Sequence, residues 1–178
     1  MVKLNVGCGN DIKEGYVNID HIALDGVDVV HDLNVLPLPF ESDSVDEILC
    51  LDVLEHIDYI PLLQDFHRIL KKGGKIIVRT PHFSSRFNYI DPTHLNRFSI
   101  QTFEFFLSNS FFKREYYQTF SFSAIVHQKI AFEMSPFFPW NYFMAPIVNL
   151  SKSLQVYFEA TFLCRLFPAS NIHIELKK

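Results

Sequence analysis

Residues 4–10 read Leu4-Asn-Val-Gly-Cys-Gly-Asn10, a short apolar strand pattern that runs directly into a Gly-x-Gly turn. Glycine permits a tight turn and lets a ligand approach the main chain where a Cβ atom would clash. A strand that ends in glycines is common, so this stretch indicates a ligand-binding turn without identifying the ligand. The segments around it decide between the alternatives.

The first half of the chain alternates between strand and helix patterns. Short runs of apolar and β-branched residues predict five strands, at residues 2–6, 17–20, 27–32, 45–51 and 75–80. Residues 61–72 carry apolar side chains at the spacing of an amphipathic helix, which we expect Gly73 and Gly74 to end. Strands joined by crossovers form a parallel sheet with helices on its faces. The sequence therefore predicts an α/β fold with a mostly parallel sheet.

The second half of the chain has weaker patterns. Residues 99–108 and 152–167 carry helical apolar spacing, and residues 172–176 predict a further strand. Residues 111–122 are consistent with one strand or two.

In parallel sheets, ligands bind at the carboxyl ends of the strands. The residues at those ends are Gly7, Asp20, Asp32, Leu51 and Pro81. A dinucleotide site needs a third glycine that opens a helix, but Ile12 stands at that position. The few residues before Val17 leave no room for a phosphate-binding helix, and no Gly-Lys-Ser/Thr follows to make a P-loop. A nicotinamide-binding protein is therefore disfavoured.

A ligand with an adenosine group and no phosphates fits these residues better. Asp20 is placed to accept hydrogen bonds from two ribose hydroxyls, and Asp32 from an adenine amino group. Leu33 would lie against the adenine ring, while Gly7 and Gly9 would pass beneath an amino-acid moiety. S-adenosylmethionine is the ligand that combines these parts.

Residues 2–82 resemble class I S-adenosylmethionine-dependent methyltransferases of the type 11 group. The resemblance is carried by six segments in order: LNVGCGN, VNID, VVHDLN, LPLPF, SVDEILCLDVLEHI and LLQDFHRILKKGGKIIVRTPH. The resemblance implies a Rossmann-like fold with helices on both faces of the sheet and an aromatic-rich C-terminal lid or insertion. It implies one domain over residues 1–178, with a cofactor-binding half at 1–82 and a substrate or lid half at 83–178. The implied cofactor contacts are Gly7, Cys8, Gly9, Asp20, His21, Asp32, Leu33 and Leu51. The first crossover is much shorter than in that family.

The resemblance also implies a reaction. It predicts transfer of a methyl group to an oxygen or nitrogen of a small molecule, a glycan or a lipid-linked intermediate. Residues 91–99 and 157–176 are similar to a subgroup associated with surface-glycan biosynthesis. The alternative is a catalytically inactive protein of the same fold that binds a partner through its aromatic second half.

The acceptor side of the predicted site lies just beyond the fifth strand. His94, with Asp91 beside it, is placed to take a proton from an attacking hydroxyl, since a histidine titrates near neutral pH. The alternative is a turn in which Asp91 caps the loop and His94 bonds to backbone. Arg97 would hold an anionic substrate group, or else pair with a nearby acid.

Two further histidines are predicted to contact the substrate. His56 follows Glu55 at the end of the fourth strand, and His82 follows the fifth. Each is equally consistent with a structural role. A metal site made of His82, Asp91 and His94 is conceivable by ligand type, but the spacing matches no metal-site signature, so the sequence predicts no metal.

Composition limits the classes of partner and the cellular compartment that we expect for this protein. A net charge of −4 argues against nucleic acid, because phosphate binding needs clustered cations. Three distant cysteines suggest a reducing cytoplasm. All but two of the 19 phenylalanines lie from Phe83 onward. Prolines interrupt the apolar residues 134–150, which excludes a transmembrane helix and leaves a lid, a homodimer contact or a peripheral membrane surface open.

Overall fold

A computed structural model of the chain describes residues 1–112 and 119–178. Its centre is a sheet of seven strands in the order β3-β2-β1-β4-β5-β7-β6. The strands are β1 Lys3–Val6, β2 Val17–Asp20, β3 Val29–Val30, β4 Val45–Leu51, β5 Leu70–Pro81, β6 Ala124–Ala131 and β7 Asn171–Lys177. Strands β1 to β5 run parallel to one another, whereas β7 runs antiparallel to both β5 and β6. The predicted mostly parallel α/β fold is confirmed.

The helices are short and lie mainly in the second half of the chain. They are α1 Tyr59–Ile69, α2 Phe87–Ile90, α3 Asn141–Val148, α4 Lys152–Ala160 and α5 Leu163–Leu166, with 3₁₀ helices at Leu54–His56 and Thr102–Phe106. Within the described residues, α1 is the one α-helix that crosses between two parallel strands, β4 and β5. The connections from β1 to β4 are loops.

The structure corrects the predicted end of α1. The helix ends at Ile69, because Leu70 is already extended and pairs with Val45 of β4. Gly73, with a φ of 83°, therefore makes a turn inside the β5 segment rather than ending the helix. The predicted strand at residues 27–32 is also too long, since only Val29–Val30 forms a strand.

The second half differs from the predictions in three places. Strand β6 was not predicted, and the helix expected over residues 152–167 is broken by the extended backbone of Thr161 into α4 and α5. The helix expected over residues 99–108 is a shorter 3₁₀ helix. The strands expected over residues 111–122 fall largely on residues 113–118, which lie outside the described residues.

Two buried asparagines organise the loop between β1 and β2. The side-chain oxygen of Asn18 accepts hydrogen bonds from the Asn5 amide and the Lys13 backbone N–H, both at 2.9 Å. The Asn5 amide also donates to the carbonyl of Asp11 at 2.8 Å. Side chains thus satisfy backbone groups that a crossover helix would otherwise satisfy internally.

The fully buried aromatic side chains of the second half mostly pack into one core with the sheet. Phe98 and Phe103 stack with ring centroids 5.7 Å apart, and Phe132 contacts Phe158 edge to face at 5.5 Å. Other rings lie on the surface, and Phe137 is 84% exposed. Among the described residues, no helix combines the length and apolar character needed to cross a membrane.

Candidate active site

A cleft of about 470 Å³ opens at the carboxyl ends of β1 and β2, and we call it the strand-end cleft. Five residues predicted as cofactor contacts line it: Gly7, Asp20, His21, Asp32 and Leu33. Its remaining wall includes Asp52, Val53 and His56, which follow β4. The topology brings these residues together because parallel strands end at the same edge of the sheet.

Asp20 connects the end of β2 to the Gly-x-Gly turn. Its Oδ2 accepts a hydrogen bond from the Gly9 N–H at 2.8 Å, and its Oδ1 accepts one from the Ile22 N–H at 3.1 Å. His21 Nδ1 lies 3.1 Å from the same Oδ1. A carboxylate has about four acceptor sites. Asp20 is therefore held in place and keeps one acceptor site, on Oδ2, for a ligand.

Asp32 also lines the strand-end cleft and is exposed. Its Oδ1 accepts hydrogen bonds from the backbone N–H and the side-chain amide of Asn34, both at 2.9 Å. The backbone bond and then the amide bond lower the pKa of the Asp32 carboxyl below its ordinary value. Asp32 is thus an ionised acceptor at neutral pH.

The two glycines of the turn have different surroundings. Both have positive φ, 63° at Gly7 and 49° at Gly9. A Cβ atom on Gly7 would lie 2.5 Å from Val53 Cγ2, whereas one on Gly9 would meet open space. Gly7 is thus required by packing, and Gly9 leaves room for another molecule against the main chain.

Three predicted cofactor contacts, Cys8, Gly9 and Leu51, are not among the residues that line the strand-end cleft. Cys8 is buried, and burial, with Asp20 nearby, raises the pKa of its thiol. Leu51 ends β4 and is half-buried. All three cysteines are free and buried, which suits a packing role.

A second cleft of about 440 Å³ adjoins the first, and we call it the histidine cleft. Asp52 and His56 line both clefts. The histidine cleft also contains Glu55, Asp91 and His94, with Phe87, Ile90, Pro81 and Asn171 as its remaining wall. The predicted pair Asp91 and His94 is therefore next to the predicted cofactor contacts.

Asp52 sits at the boundary of the two clefts in a strained backbone conformation. Its φ is 56°, which is uncommon for a residue with a side chain. Its carboxylate is held by Arg79, whose Nε donates to Oδ1 and Oδ2 at 3.1 and 2.9 Å. Such outliers persist where the surroundings hold them in place, and they cluster at functional sites.

Both histidines of the histidine cleft lie near Asp91: hydrogen bonds join His56 to it through Thr93, and His94 makes a longer contact with the same carboxylate. His56 Nδ1 lies 2.8 Å from Thr93 Oγ1, and that hydroxyl lies 2.6 Å from Asp91 Oδ1. The other carboxylate oxygen of Asp91 lies 3.8 Å from His94 Nε2. The rings of His56 and His94 meet edge to face at 4.6 Å.

Burial shifts the titration of two groups in the histidine cleft. Glu55 is 1% exposed, and desolvation raises the pKa of its carboxyl to about 7. Desolvation, followed by repulsion from His56, lowers the pKa of His94. The pKa of Asp91 is lowered as well, because the Thr93 hydroxyl and N–H donate hydrogen bonds to its carboxylate.

His82 does not reach either cleft. Its side chain is 0% exposed, with Nδ1 2.8 Å from Ser84 Oγ and Nε2 3.0 Å from Glu159 Oε1. The structure thus favours the structural alternative, because α4 covers the end of β5. Arg97 is exposed, donates to the carbonyls of His94 and Asn96, and lies over the Tyr89 ring rather than among the residues that line the clefts.

The sequence analysis did not assign a site role to Asp52, Glu55 or Thr93. Asp52 and Glu55 directly follow β4, in the same Leu-Asp-Val-Leu-Glu-His run that contains His56. Acids after a parallel strand that ends at the site are a usable signal. Thr93 had no such signal, since its role depends on the fold of residues 91–94.

Residues 8–78 match the family model of the methyltransferase domain. An uncharacterized protein of Methanocaldococcus jannaschii is 37% identical over 86 residues. This match covers 43% of the present chain and 38% of that protein, so it spans less than half of either.

Solved structures show the same fold across almost the whole chain. A S-adenosylmethionine-dependent methyltransferase from Archaeoglobus fulgidus has a TM-score of 0.61 at 19% identity, covering 99% of this chain and 85% of its own. A geranyl diphosphate methyltransferase in complex with S-adenosylmethionine has a TM-score of 0.55 at 12% identity, covering 99% and 77%. The predicted methyltransferase fold is confirmed.

Proposed function

We propose that this protein is a methyltransferase that uses S-adenosylmethionine and methylates an oxygen or nitrogen of a small molecule, a glycan or a lipid-linked intermediate. The observation that carries the proposal is the pair of adjoining clefts, which share Asp52 and His56. One cleft has carboxylates at strand ends, and the other has histidines and a buried acid. Two substrates that exchange a group need such neighbouring sites.

The strand-end cleft fits the methyl donor in size and chemistry. A volume of about 470 Å³ is within the range of ligand pockets, roughly 300–1,000 Å³. Asp20 and Asp32 supply carboxylate acceptors for the ribose and the adenine amino group, and Leu33 supplies an apolar surface. The open space at Gly9 allows the amino-acid end to approach the main chain. Residues 1–82 would thus form the donor half.

The chain has mainly to position the two substrates. S-adenosylmethionine supplies a methyl group that its sulfonium already activates for in-line displacement. The Asp52–Arg79 pair fixes the wall between the two clefts. The apolar side chains of Phe87 and Ile90 limit water on the acceptor side.

The histidine cleft is our candidate for the acceptor site. An oxygen or nitrogen acceptor loses a proton as its bond to carbon forms, and we assign Asp91 and His94 to that proton. His56 would contact the acceptor, whereas Arg97 and His82 line neither cleft and are assigned no contact with it. Residues 83–178 contribute α2, the loop that follows it and Asn171 to this cleft.

Calorimetric titration with S-adenosylmethionine and S-adenosylhomocysteine tests the donor site. Micromolar binding by the wild type corresponds to about −8 kcal/mol. Asp20→Asn removes a charge-assisted acceptor and should weaken binding about 10- to 150-fold, for a loss of about 1.5–3 kcal/mol. Asp25→Asn, the same change at an exposed position outside the cleft lining, should bind like the wild type.

The inactive alternative gives a different result in the same experiment. A protein that uses only its surface to hold a partner would bind neither ligand at millimolar concentration, and Asp20→Asn would then change nothing. That outcome overturns the proposed function. Binding without release of S-adenosylhomocysteine across a panel of hydroxyl and amine acceptors, including glycans and lipid-linked sugars, would overturn the proposed acceptor classes while leaving the donor site intact.

A further inference from the structure

Three side chains of the histidine cleft combine the ligand types of a metal site. Glu55, His56 and His94 each place one ligand atom so that the three atoms lie within 4.8 Å of one another. Glu55 and His56 come from the 3₁₀ helix after β4, and His94 comes from the loop after α2. The fold thus brings together two segments distant in sequence.

His94 provides an independent sign that the cluster is made for a ligand. Its side chain is only 6% exposed, and its buried Nδ1 has no hydrogen-bond partner among the described residues. Buried nitrogens without a partner are rare, because their lost hydration is not replaced. Glu55 is also buried, and its Oε2 accepts a hydrogen bond from Thr80 Oγ1 at 3.0 Å.

The remaining nitrogens of the two histidines are oriented by Asp91. Thr93 Oγ1 donates its hydrogen to Asp91 Oδ1, so its oxygen accepts from His56 Nδ1, which leaves His56 Nε2 with a free lone pair. His94 Nε2 faces Asp91 Oδ2 at 3.8 Å, which leaves Nδ1 for another partner. Histidines that ligate metals characteristically direct their second nitrogen to a carboxylate or another polar group in this way.

We propose that Glu55, His56 and His94 bind a divalent transition-metal ion such as Zn²⁺, with Asp91 and Thr93 orienting the two imidazoles. Imidazole and carboxylate ligands suit zinc, iron, nickel and cobalt. Three protein ligands leave at least one coordination position open, which is the arrangement of catalytic rather than structural zinc sites. All three ligand residues line the histidine cleft.

The metal site is independent of methyl transfer, but its use by the acceptor rests on the proposed function. An oxygen of the acceptor would complete the coordination of the ion and be oriented toward the strand-end cleft. Coordination makes a hydroxyl easier to ionise, and its proton leaves to water. In this arrangement His94 is a ligand of the ion that promotes loss of the acceptor's proton, and it does not take up that proton as a free base.

The ligand set differs from the one considered from the sequence. His82 is bonded to Glu159 and Ser84, so it does not join Asp91 and His94 in a metal site. Glu55 and His56 replace it. The spacing from residue 56 to residue 94 gives no local signature, and only the fold brings the ligands together.

Metal titration of the purified full chain tests the proposal. After treatment with a chelator and dialysis, Zn²⁺ should bind one site by calorimetry, and Co²⁺ should give the visible absorption of a site with low coordination number. Asp91→Asn should lower the affinity for Zn²⁺ about 10- to 100-fold, as changes to residues that hydrogen-bond metal ligands do. His94→Ala should weaken it by more than about 100-fold, because a ligand is lost. His127→Ala, a change at an exposed histidine on β6, should bind like the wild type.

Two results would overturn the metal site. One is a wild type that binds no Zn²⁺ after stripping, and the other is equal affinity in His94→Ala and His127→Ala. Circular dichroism of each variant shows whether it folds, and Asp91→Asn keeps the test decisive if His94→Ala does not. Because Zn²⁺ and S-adenosylmethionine are titrated separately, failure of the metal site and failure of the proposed function are distinguishable.

Discussion

The backbone N–H of Gly9 donates a 2.8 Å hydrogen bond to Oδ2 of Asp20. One end of this bond belongs to the turn after β1 and the other to the last residue of β2. The carboxylate that is expected to bind a ribose therefore also fixes the turn that is expected to lie beneath the amino-acid end of the donor. Ligand recognition and loop conformation depend on the same side chain.

Gly9 and Gly15 provide a matched pair of substitutions. Both have positive φ, 49° and 78°, and in both a Cβ would meet open space. Changing either to alanine should cost about 1–2 kcal/mol of the free energy of unfolding, as a left-handed residue does. Only Gly9→Ala should weaken the binding of S-adenosylmethionine, with a rise in Kd of about tenfold or more. Calorimetry and urea unfolding of both variants check this, and equal affinity in the two variants would contradict the donor cradle at Gly9.

The loop between β1 and β2 should depend on Asn18. Asn18→Ala removes the acceptor of the Asn5 amide and the Lys13 N–H, so their buried donors lose their partner. We expect the free energy of unfolding to fall by about 1–3 kcal/mol, measured by urea denaturation. Asn10→Ala, at an exposed position of the same loop, serves as the control. A variant as stable as the control would show that this network does not support the loop.

His82 should affect stability and not donor binding. Glu159 accepts hydrogen bonds from the Ile100 N–H at 2.7 Å and the Ser99 hydroxyl at 2.5 Å, and its Oε1 lies 3.0 Å from His82 Nε2. His82→Ala leaves that buried carboxylate with one partner fewer and should lower the free energy of unfolding by about 1–3 kcal/mol. The Kd for S-adenosylmethionine should stay within about twofold of the wild type. A selective loss of affinity without loss of stability would instead return His82 to the site.

The contribution of His67 to the free energy of unfolding should fall as the pH drops below about 6.5, opposite in sign to that of Glu55, whose pKa burial raises. Burial, and then the charge of Lys178, lower the pKa of His67, while Asp43 nearby raises it less. The unfolded chain therefore takes up a proton at His67 that the folded state resists, and the contribution of His67 to the free energy of unfolding rises with pH through this range. Urea unfolding at pH 7.5 and 5.5 measures the difference. It should shrink in His67→Gln and stay unchanged in His127→Gln.

The sequence was most informative where strands are buried on both sides. The apolar runs at residues 17–20 and 45–51 predicted β2 and β4 at their observed bounds. Strand β6 was missed because His127, Gln128 and Lys129 interrupt its apolar pattern, as expected for an edge strand with solvent on one side. Propensity also failed at Leu70, where pairing with β4 ends α1 before the glycines do.

Site residues could be predicted where strands that follow one another in the chain are also neighbours in the sheet. Asp20 and Asp32 follow neighbouring strands, so their meeting in one cleft followed from the sheet. His82 looked equivalent, but α4 arrives from a distant part of the chain and places Glu159 against its ring. The joining of Glu55 to His94 is likewise a product of long-range packing, which no local spacing encodes.

The position of β7 has a consequence for synthesis. This strand pairs with β5 along its whole length, from Asn171 against Pro81 to Lys177 against Lys75, yet it comes after every other described element in chain order. A growing polypeptide would expose the edge of β5 until β7 emerges, and open strand edges are templates for aggregation. The long loop closed by this pairing also slows folding. The time during which the β5 edge of a nascent chain stays uncovered would therefore determine the fraction of chains that needs chaperone protection.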